Sequence, residues 1–239
     1  MGAIIVNFVD RKKELHIVAG TRPEQPYKKK DYVNKTKTMT PLTIEEIDTI
    51  KGYLWTEVKG ATTPIKKLQR ARNHVMFIAS INLGLRASDL TMLRLSDVYT
   101  KSGKFREDSE IILCKTQKKH RLFFNSSVRE VLTWYTYTFN INTNSSDYLF
   151  LSQMGNQISP KRMGQILKEF IRKAGVERRV ATHTPRKTYA RQLIERNRGD
   201  VDTLEFLQKG LGHSSKKALM SYTYADEDRY KEKVMELNL

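Results

Sequence analysis

In the stretch HTPRKTYA, His183 and Arg186 stand three residues apart at the start of a segment that reads as a helix. Thr184 suits the cap of that helix and Pro185 its first position. Both basic side chains then belong to the first turn, where exposed amides and the helix dipole already favour an anion, so the pair is suited to gripping a phosphate. Two further segments use the same device. In GLR, Arg86 leaves a tight turn behind the helix-stopping Gly84; in LGHSS, Gly212 ends a helix, His213 sits in the turn, and Ser214 or Ser215 can cap the next helix. That next helix carries Tyr222 amid the polar run SYTYADEDRY, a poor setting for a purely core aromatic. Taken singly, these are exposed basic helix starts and a packed tyrosine. Taken together, they supply guanidinium, imidazole and phenol groups for phosphate chemistry.

Periodicity predicts the elements that carry these groups. TPLTIEEIDTIKGYL has Thr43 as a cap, Glu46 three residues on, and the stripe Ile44, Ile47, Ile50 and Leu54. A second helix over 66–83 puts Val75, Ile78, Ala79 and Asn82 on one side and stops at Gly84; Ser88 then caps a helix with Leu90 and Leu93 inward. From Val98 to Asn125 the pattern turns strand-like, with SEIILCKT, the basic turn QKKH and RLFFN forming a hairpin. Helices return over 128–137, 160–174, 184–196, 203–209, 216–222 and 226–237, and Tyr189, Ala190, Leu193 and Ile194 face the core behind His183 and Arg186. The fold class is α+β, mainly α, with one small antiparallel sheet. Residues 1–39 read as an N-terminal extension or linker, with a short hairpin and a proline- and lysine-rich arm, and 40–239 as the main domain.

Lys and Arg outnumber Asp and Glu 43 to 26, a net charge of +17 over 239 residues. Such a surplus on a chain of globular composition favours a polyanionic partner, and its spread along the whole sequence suits double-stranded DNA better than a membrane face. The most apolar run, VMFIASINLGL, is broken by Ser80, Asn82 and Gly84, so no membrane span is expected. The N-terminus lacks the pattern of a secretory signal, and Val6 argues against myristoylation of Gly2. The lone Cys114 excludes an intramolecular disulfide and fits a reducing, cytoplasmic setting; with the five histidines it shows no close metal-ligand pairing.

In chain order, GLRASDLTMLRLSDV, KTQKKHRLFF, HTPRKTYA, LGHSS, and Tyr222 nine residues beyond His213, resemble the catalytic boxes of the tyrosine recombinases. That family includes the phage integrases, Cre and the Xer proteins, with relatives among the type IB topoisomerases. The resemblance covers about residues 40–239 and implies the family's catalytic-domain fold. It implies that Arg86 and Arg186 hold the scissile phosphate and that Tyr222 attacks it, leaving a 3′-phosphotyrosyl enzyme and a free 5′-hydroxyl. Lys115, with Lys118 as its rival in the lysine-rich turn, protonates the leaving oxygen. His183 is the general base, His213 bonds a phosphate oxygen, and Asp89 orients its basic neighbours. Lys118, Lys119 and Lys187 are expected to contact DNA.

A phosphotyrosyl bond keeps the energy of the broken phosphodiester, so the resemblance implies neither metal nor other cofactor. It further implies a homotetramer on synapsed DNA formed from chains monomeric in free solution, with accessory DNA-bending proteins, in a bacterial nucleoid or phage-infected host. The C-terminal stripe Tyr230, Val234 and Leu237 is expected to serve subunit contacts. Integration and excision of a mobile element is the leading reading; a regulator that binds DNA without cutting it is the alternative, and the spacing from His213 to Tyr222 disfavours a topoisomerase. Two features depart from the family pattern. Lys187 stands where many members have histidine, next to Pro185 in place of an apolar residue, and only about 39 residues precede the domain where most integrases have a separate core-binding domain. A short fimbrial-switch type or a fragment of a longer integrase is therefore expected.

Overall fold

The computed structural model describes residues 39–177, 179–197, 200–212 and 215–223. Expectations for residues 1–38, for His213 and Ser214, and for a helix over 226–237 fall outside them. Thr43 caps α1 (Ile44–Lys59) as its sequence predicts: Thr43 Oγ1 accepts the Glu46 N–H at 3.2 Å, and the Glu46 carboxylate accepts the Thr43 N–H at 2.8 Å. The predicted stripe is buried at Ile47, Ile50 and Leu54, while Ile44 stays 41% exposed.

Helix α2 (Pro64–Leu83) starts two residues before the predicted position, because Thr63 provides the cap and Pro64 a pre-set first turn. It stops at Gly84, whose φ is +62°, and a Cβ added there would lie 2.5 Å from Cε1 of Tyr189. Glycine is thus required by the backbone and by the close approach of the ring. The chain restarts at once as α3 (Ala87–Met92). Arg86, not Ser88, is its N-cap, because the left-handed turn at Gly84 is tight enough for the helix to resume within three residues. Val98, expected to open the strand region, instead ends the short helical turn α4 (Leu95–Val98).

Strands β1 (Asp108–Ile112) and β2 (Lys119–Phe123) pair antiparallel from Asp108↔Phe123 to Ile112↔Lys119. The predicted strand ran on through Cys114, Lys115 and Thr116. These residues form the turn instead: the Gln117 N–H donates to the Leu113 carbonyl at 2.8 Å and the Leu113 N–H to that of Lys118 at 3.0 Å, with Gln117 at φ +55°. Alternation across the hairpin turns Glu110, Ile112, Lys119, Arg121 and Phe123 to solvent and leaves Ile111, His120 and the buried Leu122 on the inner face.

Helices α5 (Ser126–Thr138), α6 (Pro160–Lys173), α7 (Thr184–Arg196), α8 (Val201–Leu211) and α9 (Lys216–Thr223) complete the described chain, which is mainly helical. The larger core cluster runs from Leu42 to Val180 and includes Ile50, Phe77, Leu90, Leu132 and Phe150. The smaller one joins Ala190 and Ile194 of α7 to Leu207, Leu211, Leu219 and Met220. Helix α7 packs on α2 and on both α8 and α9, so its first turn stands where the two clusters meet. No helix among the described residues is long and apolar enough to cross a membrane.

Candidate active site

Arg186, 5% exposed, donates from Nη1 to the Gly84 carbonyl at 2.6 Å and from Nη2 to the Leu211 carbonyl at 2.7 Å. Both acceptors sit at helix C-termini, where the carbonyls carry the negative end of the helix dipole and draw a cation. Arg86, leaving the turn after Gly84, reaches the same Leu211 carbonyl with Nη2 at 3.5 Å. Two guanidinium groups therefore converge on one oxygen. Burial, then the charge of Arg86, lowers the Arg186 pKa to about 10, so bringing the two cations together is costly until an anion joins them.

Tyr222 of α9 is half-buried and lies close enough to Arg186 and Arg86 to feel the charge of both. Burial raises its phenol pKa while Arg186 and Arg86 pull it back down, so the phenolate is stabilised by the groups suited to holding a phosphate. His183 is the N-cap of α7 at φ −86° and ψ −14°. Thr184, expected as that cap, is fully buried and faces inward: its Oγ1 accepts the Ala181 N–H at 3.0 Å and its carbonyl the hydroxyl of Thr188 at 2.9 Å. Shielding of the imidazole, followed by the positive field of Arg186, Arg86, Lys187 and Lys115, lowers the pKa of His183. A neutral ring able to accept a proton is the result.

Asp89, 2% exposed, lies in the first turn of α3 and accepts the Cys114 N–H on Oδ1 at 2.8 Å. It thereby fastens the hairpin turn one residue before Lys115. Its other oxygen, Oδ2, is buried with no hydrogen-bond partner among the described residues. Lys115 is exposed at the tip of the turn, near enough to His183 to contribute to its positive field. Lys118 is exposed beside it, and Lys119 is paired with Glu110 at 2.8 Å. Lys187 does not lie at the surface as a DNA contact would. It is 8% exposed, because residues 184–188 are all turned into the junction between the two core clusters; its Nζ donates to the Met39 carbonyl at 2.9 Å and lies 4.8 Å from the Tyr222 ring centroid.

One neighbour of the site does not stand out in the sequence. His120, on the inner face of β2, has its pKa lowered by burial and by Arg186 and Arg86 and raised by Asp89, so it shares their field. Its signal was parity: Leu122, two residues on, is an inward-facing core residue, and a strand turns His120 the same way. The carbonyls of Gly84 and Leu211 had no side-chain signal at all. Among the described residues no cluster of three or more His, Cys, Asp or Glu could hold a metal ion.

Fold and site together define a basic, mainly helical domain in which two guanidinium groups converge on one carbonyl near Tyr222. The chain belongs to the phage integrase family, whose model matches residues 55–229. It is 32% identical over 186 residues to the probable integrase/recombinase YoeC of Bacillus subtilis (strain 168), an alignment covering 77% of this chain and 88% of that one. To the tyrosine recombinase XerC of Caldanaerobacter subterraneus subsp. tengcongensis it is 25% identical, over 69% of this chain but 44% of the relative. Among solved structures, XerA recombinase matches 86% of this chain and 66% of its own at a TM-score of 0.62 and 19% identity. A post-cleavage complex of the XerH site-specific recombinase with palindromic difH substrate matches 84% and 55% at 0.62 and 22%. These likenesses bear out the mainly helical recombinase catalytic fold with its small antiparallel sheet. The chain spans about half to two thirds of the length of the Xer relatives it matches.

Proposed function

We propose that this chain is a site-specific DNA recombinase, with residues 40–239 as its catalytic domain, that cuts and rejoins double-stranded DNA through a 3′-phosphotyrosyl intermediate. The observation that carries the reading is the convergence of Arg186 and Arg86 on the Leu211 carbonyl, with Tyr222 within reach of the charge of both. A phosphodiester entering there neutralises two mutually repelling cations and meets a phenol that lies in their field.

In this scheme the two guanidinium forks take the nonbridging oxygens and stabilise the charge that grows in the pentacovalent transition state. The Tyr222 oxygen attacks phosphorus, its proton passing to neutral His183, and the bond to the 5′-oxygen breaks as Lys115 protonates that oxygen. Lys118 remains the rival donor. His213 would bond a phosphate oxygen. Attack by a 5′-hydroxyl reverses each transfer and reseals DNA, so the scheme calls on no metal or nucleotide. Asp89 acts through the Cys114 N–H, holding the lysine turn over the site. Integration and excision of a mobile element, in the cytoplasm and on a synapsed tetramer, is in keeping with the integrase relatives; XerH supplies a precedent for a related fold on its DNA substrate.

The test uses wild type and Tyr222→Phe in cells carrying the DNA that flanks the gene. DNA that stays attached to the protein after denaturation is purified and sequenced. Recovery of one short site from wild type alone is expected. Equal recovery from both removes Tyr222 as nucleophile, and tight noncovalent binding with no adduct from either moves the chain to the regulator class.

A further inference from the structure

The ammonium of Lys187, a residue only 8% exposed, makes two contacts that link distant parts of the chain. On one side it donates to the carbonyl of Met39, where the chain enters the described domain; on the other it lies 4.8 Å from the centroid of the Tyr222 ring. The next residue repeats the first contact: Thr188 Oγ1 accepts the Leu42 N–H at 2.9 Å while donating to the Thr184 carbonyl at 2.9 Å. Two consecutive side chains at the head of α7 thus stitch the entering backbone against the helix that supplies His183 and Arg186. A lysine only 8% exposed needs compensation, since burial alone lowers its pKa, and here the compensation comes from a backbone carbonyl and an electron-rich ring.

We propose that Lys187 is a positioning residue: it holds the Tyr222 ring from one side and makes the placement of that ring depend on how the backbone at Met39 and Leu42 is held. The proposal rests on the recombinase reading, in which Tyr222 is the nucleophile. The Lys187 ammonium over the ring favours the phenolate over the phenol, in the same direction as the charges of Arg186 and Arg86. Pulling Met39 away withdraws the acceptor that fixes the ammonium, so a strain on the entering chain reaches the nucleophile through one side chain. A bulk-surface DNA contact by Lys187 gives way to a link between chain entry and nucleophile.

The test reads Tyr222 directly in the full chain without DNA. Protein labelled with 3-fluorotyrosine at its 11 tyrosines is followed by fluorine NMR, the Tyr222 resonance being the one lost in Tyr222→Phe. Lys187→Gln keeps a donor for the Met39 carbonyl and removes the charge; the Tyr222 titration is expected to move upward by about one pH unit, while Lys187→Arg stays near wild type. Thr188→Val loosens Leu42 without touching Lys187, and it is expected to shift or broaden the same resonance. An unchanged titration in Lys187→Gln overturns the positioning role, and an unmoved resonance in Thr188→Val overturns the coupling to chain entry. Because this readout needs no cleavage, a chain that never forms a DNA adduct defeats the recombinase reading and leaves the NMR result to decide the link between Lys187, Met39 and the tyrosine.

Discussion

The carboxylate of Asp89 accepts the backbone N–H of Cys114 at 2.8 Å, joining the first turn of α3 to the tip of the hairpin one residue before Lys115. Asp89→Ala removes the buried carboxylate that anchors the partly buried Cys114 N–H and is expected to lower stability by about 1–3 kcal/mol in denaturant titration. Asp89→Asn keeps an acceptor oxygen but removes the charge facing Arg186 and His120, so it should cost less stability than Asp89→Ala. Equal losses from the two variants would mean that the charge, not the tether, is what Asp89 contributes.

Gly84 sits at φ +62° with the Tyr189 ring against its α-carbon, and its carbonyl holds Arg186. Gly84→Ala incurs the left-handed penalty of about 1–2 kcal/mol and also pushes the ring away, so a total loss of at least about 2 kcal/mol is expected. Thermal unfolding measures it. A loss below about 1 kcal/mol would show that the ring moves freely and that the turn is not tightly packed.

Arg86 and Arg186 repel one another at the Leu211 carbonyl, and an oxyanion bound between them should stabilise the fold by mass action. Inorganic phosphate at about ten times its dissociation constant is expected to add about 1.4 kcal/mol. The saturable part of that gain should vanish in Arg86→Ala. An identical response in the variant would place phosphate binding elsewhere on this strongly basic surface.

His74 gives the chain a specific weakness toward acid. Its ring lies against both tryptophans, 5.7 Å from Trp55 and 6.2 Å from Trp134 between centroids, and its Nδ1 is buried without a partner among the described residues. Burial, then Lys51, lowers its pKa from 6.5 to about 4. The unfolded chain therefore takes up a proton near pH 6.5 that the folded chain refuses until about pH 4. The stability His74 contributes is whole above about 6.5 and is lost progressively between about 6.5 and 4, up to roughly 3 kcal/mol. His74→Phe should flatten this limb, as followed by the fluorescence of Trp55 and Trp134; a limb of unchanged depth would assign the loss to other groups.

The elements behind the site were legible where local chemistry specifies them. The capping box at Thr43 and Glu46, the stop at Gly84 and the left-handed Gly212, at φ +64°, are set by residues within a few positions of each other. Ser88 and Thr184 misled for a single reason: both are good caps in isolation, but tertiary packing turned Thr184 inward and let the Gly84 turn restart the helix at Arg86. Lys187 misled more deeply. A lysine beside a phosphate-binding arginine reads as a surface contact, and only the three-dimensional arrival of Met39 and Tyr222 on either side reveals a buried residue. The Gly84 and Leu211 carbonyls that orient Arg186 could not be read at all, since every residue carries a carbonyl and only the fold chooses which ones face a cation.

The central claim is that Tyr222 becomes the phosphoryl carrier, and peptide mapping tests it most directly. Protein trapped on the site it recovers from cells is digested with nuclease and then trypsin, and the fragment ALMSYTYADEDR, residues 218–229, is sequenced by mass spectrometry. The expected result is a nucleotide attached through phosphate to Tyr222, absent from the Tyr222→Phe protein. A nucleotide on Tyr224 of the same fragment, or on any other residue, would contradict it.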